Sequence, residues 1–169
     1  MKDGASGQLG FVTLRNRMLA DGAPVIEERQ DIVYREDHKP GSVAPQPPPA
    51  PDLGPPVATV SFTSTPTLLF RYSALTFNGH RIHYDPAYAT GTEGYAGLVV
   101  HGPMQAIILM NLAARVMGRT PASFAYRGVA PHICGQAARA EAHAGDDGAL
   151  SLRIRTEGGP VTMTATARI

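Results

Sequence analysis

The 169-residue chain has a single cysteine, Cys134, so no internal disulfide can form. With no charged-then-apolar leader at the N-terminus either, the expected compartment is a reducing one, by default the cytoplasm. Charge is scarce: 17% of residues are charged and the net charge is +1. That leaves no polybasic patch of the kind that holds nucleic acid or an anionic membrane surface. Long hydrophobic runs are also missing. The longest, Met104 to Met117, is interrupted by Gln105, Asn111 and Arg115, and it falls short of the roughly 20 residues that span a bilayer. Neither nucleic acid nor membrane is expected as a partner.

Proline is abundant but unevenly spread. Eight of the 15 prolines lie between Pro40 and Pro56, where a chain that repeatedly lacks a backbone donor cannot join a helix or a central strand. Three segments follow: a head hairpin over 1–39, a Pro-rich linker over 40–56 and a domain over 57–169. Only the last is long enough to bury its own core, since pieces below about 40 residues usually need outside support.

Period-two patterning marks the C-terminal third as sheet. Ala138, Ala140, Ala142 and Ala144 alternate with Arg139, Glu141 and His143; after a Gly145–Gly148 turn, Leu150, Leu152 and Ile154 alternate with Ser151, Arg153 and Arg155; beyond Pro160, Val161, Met163, Ala165 and Ala167 alternate with Thr162, Thr164, Thr166 and Arg168. Three strands with short Gly-rich turns make an antiparallel meander with one wet face. One strong helix precedes them. Pro103 suits its first position and Gly118 the residue past its end, and the apolar residues between lie on nearly every face, so the helix should be covered on most sides. Thr67 to Thr76 reads as a strand or a short strand running into a loop, and residues 77–97 as a loop rich in His, Asn, Tyr and Asp. An irregular or edge strand is expected within Ser123 to Ile133. In the head, Phe11 to Arg17 and Val25 to Tyr34 form a hairpin turning at Asp21-Gly22.

The densest polar cluster is FNGHRIHYD, with Asn78, His80, Arg81, His83, Tyr84 and Asp85 inside eight positions. The second is His101-Gly102-Pro103 at the start of the helix. A helix N-terminus presents unpaired N–H groups and partial positive charge to an oxygen that gains negative charge, and Gly102 lets a substrate approach that backbone. His80 and His83 could also suggest a metal pair, but two imidazoles without a third ligand do not make a site. His132 and Cys134 read as core or edge positions.

The runs YSALTFNGHRIHYDPAYA (Tyr72 to Ala89) and EGYAGLVVHGPMQA (Glu93 to Ala106) resemble MaoC-like hydratases of the hot-dog fold. More closely they are similar to the mesaconyl-CoA, itaconyl-CoA and mitochondrial-type 3-hydroxyacyl-thioester dehydratase branch. The wider family's motif is Gly-Asp-x-Asn-Pro-aliphatic-His; here Phe77 falls at its Gly, Asn78 at its catalytic Asp, His80 at its Asn, Arg81 at its Pro, Ile82 at the aliphatic residue and His83 at its catalytic His. Asn at 78 departs from the wider motif, because an amide cannot take a proton, and matches the closer branch's N-x-H-x-I-H. The family's segment whose Gly amide forms the oxyanion hole falls on Val100, His101 and Gly102. The head strands resemble the end of a first hot-dog half.

The resemblance implies an α+β hot-dog fold, an antiparallel sheet wrapped around one long buried helix. It also implies a hydro-lyase that adds water reversibly across the C2–C3 double bond of an acyl thioester. His83 would carry the proton, Asn78 would hold the water, and the Gly102 amide would bind the thioester oxygen. If Asn78 is no base, His83 takes both proton steps or a carboxylate such as Asp85 or Glu93 helps. Arg71, Arg81, His80, His101 and Tyr84 are the expected substrate contacts, with His101 also readable as a packing residue behind the site. No metal or cofactor is expected; the CoA thioester is the substrate. A hot-dog sheet leaves an edge that pairing covers, so a homodimer, a higher oligomer or a second hot-dog subunit is expected. Two other readings stay open: a hot-dog thioesterase, and a non-catalytic partner half of a two-component hydratase.

Overall fold

The protein is described by a computed structural model over residues 2–4, 7–35, 49–145 and 148–169. Its chain divides into two compact units, Met1–Gln46 and Pro47–Ile169. Most of the proline-rich stretch, residues 40–48, and positions 146 and 147 of the Gly145–Gly148 turn lie outside the described residues.

In the first unit, β1 (Lys2–Gly4), β2 (Gly7–Ala20) and β3 (Ala23–Arg35) form an antiparallel sheet in that order. The expected hairpin turns at Asp21 and Gly22, whose φ angles of 50° and 79° are those of the mirror-image turns that match strand twist. The two long strands pair from Leu9↔Arg35 to Ala20↔Ala23. Arg17–Glu27 and Arg29–Asp31 ion pairs at 3.0 Å lie along the ribbon.

The second unit is built on a five-stranded antiparallel sheet, β4 (Ala58–Thr63), β5 (Ser123–Gly128), β6 (Ala137–Ala144), β7 (Leu150–Thr156) and β8 (Val161–Arg168), in the order β4-β6-β7-β8-β5. The meander is β6-β7-β8, and β5 is an edge strand. β4, which the patterning above does not assign, pairs with β6 from Ala58↔Ala142 to Thr63↔Ala137. Across one face of the sheet runs α3 (Gly102–Met117), with Pro103 in its first turn and Gly118 left-handed at its end. Ala106, Leu109, Leu112 and Ala113 of α3 pack on Ala138, Ala140 and Ala142 of β6 and on Leu152, Ile154, Met163 and Ala167. The small β6 side chains let the helix sit close to the sheet. On the side of α3 away from the sheet, Ile107, Met110 and Val116 are exposed.

The opposite sheet face is less wet than its alternation suggests. Glu141, His143 and Arg153 are buried there. Arg153 donates to Glu141 at 2.5 Å and to the Pro51 carbonyl at 3.2 Å, so the chain at Pro51 lies over this face and the buried charges are paired.

A larger correction concerns Thr67 to Thr76, which is helix and not strand: α1 spans Pro66–Thr76. Thr65 caps it, its side chain accepting from the Leu68 amide at 3.2 Å, and Pro66 occupies the first turn. These are helix-start signals, and they outweigh the strand-like run that follows. Residues 77–97 also carry structure: a tight helical turn at Arg81–His83, and α2 (Pro86–Gly91) capped by Asp85. A second core joins these pieces, with Leu69, Ile82, Ala89, Leu98, Val99, Val100 and Met104 buried together.

Helix α1 ends on Phe77, which is left-handed (φ 53°, ψ 30°) and 96% exposed. An L side chain in that region costs about 1–2 kcal/mol and gains nothing here from burial, whereas glycine is at ease in it. The wider family's motif has glycine at this position, which fits that geometry. Phe77→Gly is therefore expected to raise unfolding stability by about 1 kcal/mol, and Thr65→Ala to lower it by about 1 kcal/mol, both read from urea denaturation. A destabilised Phe77→Gly or a neutral Thr65→Ala would contradict the placement of α1.

Candidate active site

Three short segments meet around His83. The tight turn carries His83 itself, the extended chain 98–100 runs beside it, and α3 begins at its end. Val99 donates to the Ile82 carbonyl at 2.9 Å and Val100 to the His132 carbonyl at 2.8 Å, so the extended segment is laced to the turn on one side and to the chain before β6 on the other. Its Val99 carbonyl lies 2.7 Å from His83 Nδ1. A carbonyl only accepts, so Nδ1 carries the proton, and the neutral ring presents its lone pair at Nε2. Burial pushes the His83 pKa down, against the Val99 hydrogen bond that raises it, and nearby His80 lowers it further. The ring is thus a neutral base at ordinary pH.

Behind it stands His101, fully buried. The two imidazoles are stacked, centroids 3.7 Å apart with planes 18° from parallel. Burial, with His83 adding to it, pushes the His101 pKa down to about 4. His101 Nε2 lies 2.8 Å from the hydroxyl of Ser73, itself buried on α1, and Tyr72 tilts against the ring at 4.7 Å. Motif spacing did not single out Ser73 or Tyr72. Both are supplied by α1, and a helical reading from the Thr65-Pro66 start would have turned Leu69 and Ser73, four apart, to the same inward face.

His80 is exposed and meets His83 edge-on at 5.6 Å. Asn78 Oδ1 accepts from the His80 amide at 3.0 Å, an Asx turn that leaves its Nδ2, a donor, as the end able to meet water or substrate. Gly102 is half-buried as the first residue of α3. The helix has no side-chain cap, so its first amides have no partner within the helix. A Cβ on Gly102 would meet Met163 Cε at 3.9 Å, ordinary contact, so nothing among the described residues requires glycine there. Arg71 is exposed on α1. Arg81 pairs with Asp85 at 2.7 Å and lies 4.3 Å over the Tyr88 ring, and the Tyr84 hydroxyl donates to the Gly79 carbonyl at 2.8 Å. Asp85, held ionised by the Tyr88 amide and by Arg81, and Glu93, which accepts from the Tyr88 hydroxyl at 3.0 Å, are both engaged. His132 is fully buried and Cys134 half-buried. Among the described residues, no three His, Cys, Asp or Glu side chains converge as a metal site would need.

Comparison with known proteins gives this geometry a family. The model for hydroxyacyl-thioester dehydratase type 2 matches residues 4–134. A mesaconyl-C(4)-CoA hydratase of Chloroflexus aurantiacus is 51% identical over 133 residues, covering 77% of this chain and 46% of that protein. The mitochondrial hydroxyacyl-thioester dehydratase type 2 of Schizosaccharomyces pombe is 38% identical over 81 residues, 46% of this chain and 27% of that one. The chain thus spans less than half the length of these curated relatives. Among solved structures, HtdX of Mycobacterium tuberculosis superposes with a TM-score of 0.70 at 25% identity, over 94% of this chain and 61% of that one. The fold is the α+β hot dog.

The buried imidazoles make stability depend on pH. Unfolded, each titrates near 6.5; folded, His101 takes a proton only near 4, and His83 and His132 are shifted in the same direction by burial. The unfolded state therefore binds more protons as pH falls below 6.5, so this contribution is complete above that value and is lost on the way down to about 4. The urea midpoint is expected to fall between about pH 7 and about pH 5, and His101→Phe to flatten that fall. An identical pH slope in the variant would contradict the assignment.

Proposed function

Since the chain belongs to the hydroxyacyl-thioester dehydratase type 2 family, we propose that it is a hydro-lyase that reversibly adds water across the C2–C3 double bond of an enoyl thioester. The observation that carries this reading is the Val99 carbonyl on His83 Nδ1, which leaves Nε2 as a neutral base beside the uncapped start of α3. In hydration, Nε2 takes a proton from water while the water oxygen bonds to C3. The C2–C3 π electrons move toward C1, and the thioester oxygen gains negative charge. The Gly102 N–H, at the positive end of the helix, stabilises that oxygen. His83 then returns the proton from Nε2 to C2. Dehydration is the same path reversed.

Asn78 would hold the water through Nδ2. Because Asp85 and Glu93 already have partners, His83 takes both proton steps. We assign any contact with a substrate carboxylate or CoA phosphate to Arg71 and His80, as Arg81 and Tyr84 are committed to Asp85 and Gly79. The acyl group we propose is a branched dicarboxylic one: mesaconyl on the strength of the 51% identical relative's name, or itaconyl, which the motif resemblance also implies. The active form would be an assembly of two hot-dog units, two copies of this chain or this chain with a second hot-dog subunit, and its compartment the cytoplasm. No helix among the described residues is long and apolar enough to cross a membrane.

The test is turnover on mesaconyl-, itaconyl- and crotonyl-CoA with a parallel assay for free thiol. Enoyl thioester is expected to be consumed without CoA release, and His83→Ala to lower kcat at least about a hundredfold in a protein that melts like the wild type. Thiol release at the rate of enoyl loss would make the chain a thioesterase, and undiminished turnover in His83→Ala would overturn the role of that residue.

A further inference from the structure

Ser73 and His101 form a buried hydroxyl–imidazole pair that the hydration chemistry above does not use. Neither touches solvent appreciably, so Ser73 cannot serve as a nucleophile toward a bound thioester. Their position suggests a different use. His101 Nε2 is 2.8 Å from Ser73 Oγ, while His101 Nδ1 is buried with no hydrogen-bond partner among the described residues. A neutral imidazole has one N–H. If that proton were on Nδ1 it would be a buried donor with no acceptor, which is rarer and costlier than an unused lone pair. This favours the tautomer with the proton on Nε2, donated to Ser73, and the lone pair on the buried Nδ1.

That single hydrogen bond sets the plane of the His101 ring, with Tyr72 against it at 4.7 Å. The ring plane in turn is the surface on which His83 lies, 3.7 Å away and nearly parallel. We propose that Ser73 and His101 are positioning residues for His83: Ser73 fixes the His101 ring, and His101 holds the His83 ring flat so that its Nδ1 stays on the Val99 carbonyl and its Nε2 stays aimed at substrate. The inference rests on the hydro-lyase reading for its kinetic consequence, but the arrangement is a property of the fold.

Electrostatics fits the same role. Among the described residues, the titratable groups facing His83 are His80 from its own turn, His101 from the start of α3 and, behind His101, Tyr72 from α1. A second positive charge 3.7 Å from His83 would oppose its taking a proton from water, whereas a neutral ring face accommodates the imidazolium that forms. Burial keeps His101 neutral, so the stack tolerates His83 in both of its protonation states.

Two readouts test the proposal, one of which needs no substrate. In the wild type the His83 Nδ1–H, bonded to Val99, is expected to give a slowly exchanging proton resonance. In Ser73→Ala and in His101→Ala that proton should exchange at least about tenfold faster, the loss of one hydrogen bond's worth of restraint. On an accepted enoyl thioester, Ser73→Ala should lower kcat about tenfold with KM nearly unchanged, Ser73→Thr should restore it, and His101→Ala should fall further. Should His101→Ala not fold, Ser73→Ala, which removes one oxygen, carries the test with His101→Phe, which keeps the stack but not the hydrogen bond and should show faster Nδ1–H exchange than wild type. An unchanged His83 resonance in folded Ser73→Ala, or equal loss of kcat in Ser73→Ala and Ser73→Thr, overturns the proposal. A resonance that responds as expected in a protein that hydrates none of the thioesters would leave the positioning role standing and sink the hydro-lyase reading instead.

Discussion

One hydrogen bond, from His83 Nδ1 to the Val99 carbonyl at 2.7 Å, organises the site. An imidazole near its ordinary pKa could carry its single proton on either nitrogen; a backbone carbonyl permits one choice. That carbonyl is available because Val99 and Val100 spend their amides on Ile82 and His132, which holds the segment extended between two neighbours. The same segment runs directly into α3, so the helix start and the His83 ring are placed by one stretch of five residues.

Packing divides the work between two cores. The alanine-rich face of β6 and the Leu, Ile and Met of β7 and β8 hold α3 to the sheet. The smaller core under α1, α2 and the tight turn, around Leu69, Ile82 and Val99, holds the site. Met104 belongs to that second core although it lies on α3, so the helix start is tied to the lobe that carries His83 while its later turns are tied to the sheet. Buried polar groups follow the same division. Gln105 reaches the Val100 carbonyl and accepts from Thr162, linking the site segment to β8, and each such link satisfies a group that would be costly to bury alone.

Much of this was legible in the sequence because it is written in local periods. The alternations of β6, β7 and β8, the Pro103 and Gly118 limits of α3, and the Asp21-Gly22 hairpin all appear where patterning puts them. What local reading could not reach falls into two kinds. Helix α1 was obscured because its apolar residues are not confined to one face: Leu68, Phe70 and Leu75 are exposed while Leu69 is fully buried, so the run TLLF looks like strand although Thr65 and Pro66 announce a helix. Contacts between distant positions were out of reach altogether. Ser73 and His101 are 28 residues apart, and Glu141 meets Arg153 only because β6 and β7 pair in that register, burying charges on a face that alternation marks as wet. His83 itself could be singled out by its motif, but what leaves the lone pair on its Nε2, a carbonyl sixteen residues away, belongs to the fold.

The central claim is that this site joins water to a carbon–carbon double bond and leaves the thioester intact. Incubation with mesaconyl-CoA, itaconyl-CoA and crotonyl-CoA in heavy-oxygen water, followed by mass spectrometry of the intact thioesters, tests it directly. The account predicts a water adduct of at least one of them, carrying one heavy oxygen on the acyl chain and still bound to CoA. Heavy oxygen found only in a free carboxylate, with CoA released, would contradict it.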